Sequence, residues 1–399
     1  FQEGGPENVA SALGWIAARL GRAALWAEPT PLAPHGRFAP ACREGDGPLA
    51  LVTFYRSFLA AADTAPIERL AEALAARGFA VRAEYVTSLK EPRVVDGLGR
   101  LIDALAPAIV VNTTAFSARL DDGSSVLERA GVPVLQAVLA TCERSAWEAS
   151  SRGLGASDLA MNLVLPEIDG RIATRAISFK GRAERSEAHQ FARAVHVPDL
   201  QGIAAVADLA RAWVDLAVKP RAERRLGLVV SDYPAKGGRT AYAVGLDTPA
   251  SLVAIAEDLR DAGYAIGAVP DPDALMRALE GRDDRSAEAP TLPLARYRAL
   301  FAALPHAFRA SVAAAWGEPE SDPDVAGDAF RFAALSLGAL TVAVQPDRGR
   351  RETRKAEYHD TGVPPRHGYV AFYLWLREAV AIDAMIHLGT HGTLEWLPG

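Results

Sequence analysis

Between Leu49 and Gln136 short apolar runs alternate with amphipathic stretches, and this alternation leaves few folds open. Leu49 to Phe54 reads as a buried strand. Asp63, Thr64 and Pro66 are helix-start residues, and Ile67, Leu70 and Leu74 form one apolar helical face that Gly78 ends. Phe79 to Val86 alternates as a strand, Leu98 to Leu105 as a helix, Ala108 to Asn112 as a strand, and a short helix ending at Gly131 precedes strand Val132 to Gln136. Repeated units of this kind predict an α/β fold with a Rossmann-like, doubly wound parallel sheet.

A second unit begins at strand Leu226 to Ser231. After a glycine-containing loop, Thr248 as N-cap and Pro249 as first helical residue open a helix with apolar face Leu252, Ile255, Ala256 and Leu259. Gly263 ends it, and Tyr264 to Val269 is the next predicted strand. Polar breaks at Gly281 to Pro293 and Gly317 to Asp328 lead to strand Thr341 to Gln345, a charged loop from Pro346 to Pro365, helix His367 to Val380 and strand Ala384 to Leu388. The middle of the chain predicts helices at Ser145 to Ser150 and Asp158 to Leu163 and a strand pair near Arg171 to Phe179. At the start, Val9 to Trp26 reads as an amphipathic helix and Pro29 to Pro48 as a linker or surface loop. The expected division is residues 1–47 (helix and linker), 48–200 (first α/β domain), 201–320 (second α/β domain) and 321–399 (the start of a further domain).

With 399 residues, half of them hydrophobic, the chain is large enough for two or three cores. A net charge of -6, with both signs mixed throughout, excludes the basic stripe of a nucleic-acid surface. The longest apolar run, Leu335 to Val344, suits a buried strand and is far below the roughly 18 residues a membrane span requires. Cys42 and Cys142 offer neither a disulfide framework nor a metal pair, so a reducing, cytoplasmic setting is expected. The chain opens on Phe1 and stops at Gly399 just after an apolar segment, and we expect it to be a piece of a longer protein.

The chemistry-bearing residues gather at the end. In His387-Leu-Gly-Thr-His391-Gly-Thr-Leu-Glu395 two imidazoles and a carboxylate recur at every fourth position. Gly389 and Gly392 interrupt any helix, so the pattern predicts a strand, a glycine turn and a helix starting at Thr393. His387 then lies at the carboxyl end of the strand, His391 on the turn and Glu395 in the first helical turn. Ligands of open α/β sheets bind at that edge. Imidazole and carboxylate accept divalent transition metals and also protons. On spacing alone the structural reading leads: a hydrogen-bonded strand-end histidine and a glutamate placed for the helix dipole. A zinc-protease motif is excluded, because Leu388 stands where a glutamate would follow the first histidine. Lys236-Gly237-Gly238-Arg239 is no Walker A loop, and no ATP site is expected. Phe372 and Trp375 read as core, with the aromatic run through Tyr373 a candidate wall for a flat cleft.

His387 to Gly399 resembles the signature of the CobN / magnesium-chelatase H family, as does Pro364 to Leu376. Val344 to Gly349, Tyr358 to Asp360, Gly245 to Pro249, Phe54 to Ser57 and Asn112 to Phe116 extend the resemblance over nearly the whole chain. Trp396-Leu397, and Arg366 before His367, are similar to the cobalt branch. The resemblance implies a large subunit that holds the tetrapyrrole and carries the chelation site, with Co2+ as substrate metal and hydrogenobyrinic acid a,c-diamide as ring. It implies two AAA+ type ATPase partners that hydrolyse ATP. Its motif residues match Glu395 and His391 as catalytic groups, with His387, His391 and Glu395 as handlers of the metal. Arg348, His359 and His367 are candidates for binding the ring, the arginine through its peripheral carboxylates; an exposed loop charge for Arg348 and a packing role at the helix start for His367 are the equal alternatives. Family members continue beyond Gly399, so the fragment alone is expected to be inactive. A magnesium-inserting subunit acting on protoporphyrin IX and a tetrapyrrole-binding scaffold are the other readings.

Overall fold

The computed structural model describes residues 3–150, 153–231, 243, 245–281, 289–349, 360, 362–389, 394 and 397. Two compact units divide the chain, Phe1–Ala217 and Val218–Gly399.

The first unit is built on strands β1 (His35–Arg37), β2 (Leu49–Tyr55), β3 (Ala80–Val86), β4 (Ile109–Asn112), β5 (Val134–Glu143), β6 (Ile172–Arg182) and β7 (Ala194–Pro198). They form one sheet in the order β1-β3-β2-β4-β5-β6-β7. Strands β2 to β6 are parallel, and the edge strands β1 and β7 run antiparallel to their neighbours. The central strands β2 and β4 are nearly continuous buried runs because both faces are covered. Ala50, Val52, Phe54 and Val111 pack on one side with Ile67, Leu70 and Leu74 of helix Ala65–Ala75 and Ile203, Val206 and Ala210 of helix Leu200–Val218. Leu51 and Val110 pack on the other with Val94, Leu98 and Ile102 of helix Pro92–Leu105. This is the doubly wound arrangement expected.

Several details differ from expectation. The first helix spans Pro6–Arg19 and buries none of its residues. Residues 35–37 belong to the sheet through β1, and helix Leu200–Val218 packs on the first sheet, so the lines drawn at 47 and 200 both cut through the first unit. The predicted strand pair near Arg171 to Phe179 is one long strand, β6, whose antiparallel partner is β7 some way downstream.

The second unit holds β8 (Leu226–Val230), β9 (Thr291–Pro293), β10 (Val325–Ala326), β11 (Ala329–Arg331), β12 (Ala334–Leu337), β13 (Leu340–Val344) and β14 (Ala384–Leu388). Its main sheet has the order β12-β13-β8-β14, with β13, β8 and β14 parallel and β12 antiparallel; β10, β11 and β9 form a small antiparallel sheet. Because β8 pairs with both β13 and β14, the line expected at residue 320 falls within one unit. The apolar run Leu335 to Val344 is a hairpin rather than a single strand. It reverses at Gly338, whose φ of +72° suits the position that a two-residue hairpin turn reserves for glycine. The strand expected at Tyr264 to Val269 is reduced to one bridge, Ile266 to Gly338. Helix Thr248–Asp261 is capped one residue earlier than expected, by Asp247, whose carboxylate accepts the Ala250 N–H at 3.1 Å.

Alternate residues of β8 sort the two sides of this sheet. Leu226, Leu228 and Val230 pack under helices Thr248–Asp261 and Pro272–Leu279. Val229 faces the helical segment His367–Val380, with Phe372 and Trp375 closing on Phe332 as the core aromatics expected.

Candidate active site

The parallel register sets His387 opposite Val229 and Met385 opposite Gly227. Both side chains therefore point to the face that carries the segment His367–Val380, and both are exposed. The Tyr373 ring lies parallel to the His387 imidazole, with centroids 6.4 Å apart and planes 5° from coplanar. Gln345, just past β13, fixes the other edge: its amide donates to the hydroxyls of Tyr373 at 2.6 Å and Tyr369 at 3.2 Å. Gly389 follows β14 where a side chain has no room, since a Cβ there would lie 2.5 Å from Ser231 Oγ. The ends of β8 and β14 are thereby held together, with Ser231 N–H donating to Leu388 O at 3.0 Å.

Beside β14 is an apolar cleft of about 460 Å³. Tyr369, Tyr373 and Met385 line it, Arg377 adds a cation, and Leu394 and Leu397 of the terminal motif contribute to the same wall. Its size is within the range of small-molecule sites, about 300–1,000 Å³. The segment Trp375–Val380, which supplies Arg377, is a π-helix, a local widening that often accompanies functional sites.

The expected site residues fall into three groups. His387 is at the carboxyl end of β14, as the strand-turn reading requires. His391, Glu395 and His359 lie outside the described residues, as does the loop Lys236 to Arg239. Arg348 and His367 are buried inside the unit, each only 2% exposed. Arg348 donates to the carbonyls of Val363, at 2.6 Å, and Asp360. His367 Nε2 meets Gly317 O at 3.0 Å, and since a carbonyl only accepts, that nitrogen carries the proton. Nδ1 meets the Tyr297 hydroxyl at 2.6 Å. Burial raises the Tyr297 pKa, so the phenol stays protonated and donates. Both residues are thus engaged with the framework. Among the described residues, no three metal-ligating side chains cluster.

Sequence reasoning missed Arg366 as a structural anchor. Its guanidinium pairs with Asp322 and, at 2.6 Å, with Asp324, and its Nε donates to Asp347 O at 2.8 Å. Asp322 also accepts the Gly368 N–H at 2.7 Å. The array pins the start of helix His367–Leu374, and with it Tyr369 and Tyr373. The signal was the acidic pair Asp322-Pro323-Asp324 inside what reads as a polar break. Replacing Arg366 with Ala leaves two carboxylates near or inside the core without a cation, and we expect a loss of about 3–5 kcal/mol. Arg366→Lys keeps the charge without the fork and should recover part of that loss. Urea unfolding of the three proteins checks this, and equal midpoints would contradict it.

The unit is thus an α/β sheet with an apolar cleft beside its edge strand β14 and His387 at the carboxyl end of that strand. The chain belongs to the CobN/Magnesium Chelatase family, whose model matches residues 1–399. It is 40% identical to the aerobic cobaltochelatase subunit CobN of Pseudomonas aeruginosa, over all of this chain and 34% of that protein. It is 37% identical to the protein of the same name from Sinorhizobium sp., again over all of this chain and 34% of that protein. The H subunit of magnesium chelatase from Rhodobacter capsulatus is 28% identical over 87% of this chain and 30% of its own length. Among solved structures, the catalytic subunit of cobaltochelatase from Mycobacterium tuberculosis superposes with a TM-score of 0.82 at 32% identity, covering all of this chain and 35% of that one. The chain spans about a third of the length of the curated relatives it matches. No helix among the described residues is long and apolar enough to cross a membrane.

Proposed function

We propose that this chain is part of the large, tetrapyrrole-binding subunit of an ATP-dependent cobaltochelatase, which inserts Co2+ into hydrogenobyrinic acid a,c-diamide on the route to cobalamin. The observation that carries the reading is the apolar cleft whose wall includes Leu394 and Leu397, because it brings a surface for a macrocycle against the terminal motif. The macrocycle lies in the cleft against Tyr373 and Met385. Glu395 accepts the inner N–H proton of the corrin as the metal enters, and His387 and His391 pass the cation. Arg377, at the cleft wall, and His359 pair with peripheral carboxylates. Arg348 and His367 act as positioning residues that hold the loop before helix His367–Leu374.

In this reading two AAA+ type ATPase partners hydrolyse the ATP, and the complex works in the cytoplasm. The higher identity to the two cobaltochelatase proteins than to the magnesium-chelatase relative supports cobalt as the metal. Reconstitution of the complete subunit with the ATPase pair, ATP and either metal tests the reading by absorbance. Cobalt insertion into the a,c-diamide is expected. Magnesium insertion into protoporphyrin IX would move the chain to the other branch, and binding without insertion of either metal would make it a scaffold.

A further inference from the structure

The first unit has a pocket of its own, of about 330 Å³, which the chelatase reading does not use. It opens past the carboxyl ends of β2, β3 and β4, and Tyr55, Ser88 and Thr114 mark the ends of those strands in its wall. Strand order reverses between β2 and β4, since the chain steps from β2 to β3 on one side and to β4 on the other. Open α/β sheets bind ligands at such switch points. Two stretches that stand out in the sequence, Phe54 to Ser57 and Asn112 to Phe116, meet there.

Three observations describe what the pocket would take. First, two of its hydroxyl protons, those of Tyr55 and Ser117, are committed to the protein. Tyr55 donates to Ala115 O at 2.8 Å, and Ser117 donates to Asp169 Oδ1 at 2.6 Å. Burial raises the Tyr55 pKa and keeps that proton in place. Ser117 Oγ also accepts the Arg119 N–H at 3.2 Å, which leaves each of the two oxygens a lone pair for a ligand. Second, the exposed Lys90 supplies a cation to the same wall, and Ser88 Oγ accepts the Lys90 N–H at 3.2 Å, which leaves the serine proton for a ligand. Third, Phe116 sits in the left-handed region with a φ of +66°, held by its N–H on Met161 O at 2.7 Å, and keeps its ring half exposed at the pocket with Leu165 beside it. A bulky residue accepts that backbone conformation only under constraint from its surroundings, and such strain collects at ligand sites. Behind the lining residues lies a buried ionic network that holds Ser117, Ala118 and Thr114. Asp169 accepts the Ala118 N–H at 2.5 Å and pairs with Arg171, and Arg171 reaches Thr114 O while its Nε has no hydrogen-bond partner.

We propose that this pocket is a second ligand site, for a small molecule with a flat apolar body, a carboxylate directed to Lys90 and Ser88, and a hydroxyl or N–H donor directed to Tyr55 and Ser117. The probe is 6-hydroxy-2-naphthoate, followed by its own fluorescence during titration of the complete subunit. Saturable binding is expected, weakened about tenfold in 2-naphthol, which lacks the carboxylate, and several-fold in 2-naphthoate, which lacks the donor. Lys90→Ala should weaken the hydroxynaphthoate about tenfold and erase its advantage over 2-naphthol, while Lys90→Arg retains both. Ser88→Trp should block the pocket, with an unchanged circular dichroism spectrum showing that the fold is intact. Absence of saturable binding, or binding that survives both Lys90→Ala and Ser88→Trp, overturns the assignment.

Discussion

In the reconstituted complete subunit, Glu395→Gln is expected to lower metal insertion by about 10²–10⁴-fold, the range of a lost general base, while tetrapyrrole binding changes little. The amide has nearly the shape of the carboxylate, so contacts of the macrocycle are preserved. It cannot accept a proton at neutral pH, and insertion of Co2+ into a corrin displaces the one inner N–H proton of the ring. A glutamate that serves only the helix dipole would give a different result, because that interaction contributes only about 0.3–1 kcal/mol. Such a role predicts a small change in stability and unchanged turnover. Absorbance of the bound ring and its rate of conversion to the metal complex separate the two steps. Full turnover by Glu395→Gln would refute the assignment of this residue.

The sheets were legible where burial on both faces made the strands plain apolar runs, as at Leu49 to Phe54 and Leu226 to Ser231. They were less legible where an apolar run folds back on itself. Leu335 to Val344 reads as one strand, and the chain turns at Gly338, where a φ of +72° and the close approach of Ala265 leave no room for a side chain. The run Tyr264 to Val269 has the composition of a strand, yet the place beside β8 that it would need is taken by β14, which arrives from far downstream. Spacing within a segment carries no information about such competition. The partner of β6 was missed for the same reason.

The candidate site shows a similar division. His387 could be placed at a strand end from Gly389 and the apolar run before it. The roles of Arg348 and His367 could not, because what occupies them is distant in sequence: Tyr297, Gly317 and Val363 have no local pattern that announces them. Met385 carries no chemistry of its own and becomes part of the cleft only through the period-two alternation of β14, which sets it on the same face as His387. The cleft itself is assembled from four separated stretches, around residues 304–308, 365–377, 382–385 and 394–397.

The central claim is that the cleft beside β14 receives the macrocycle, and the most direct measurement is tetrapyrrole binding by the complete subunit after the cleft has been filled. Met385 is exposed on its strand, so Met385→Trp adds volume to the cleft without displacing core. Absorbance titration with hydrogenobyrinic acid a,c-diamide should show affinity reduced at least a hundredfold, with the unfolding midpoint unchanged, and Tyr373→Ala should weaken binding in the same direction. Wild-type affinity in a folded Met385→Trp protein would contradict the claim and place the ring elsewhere.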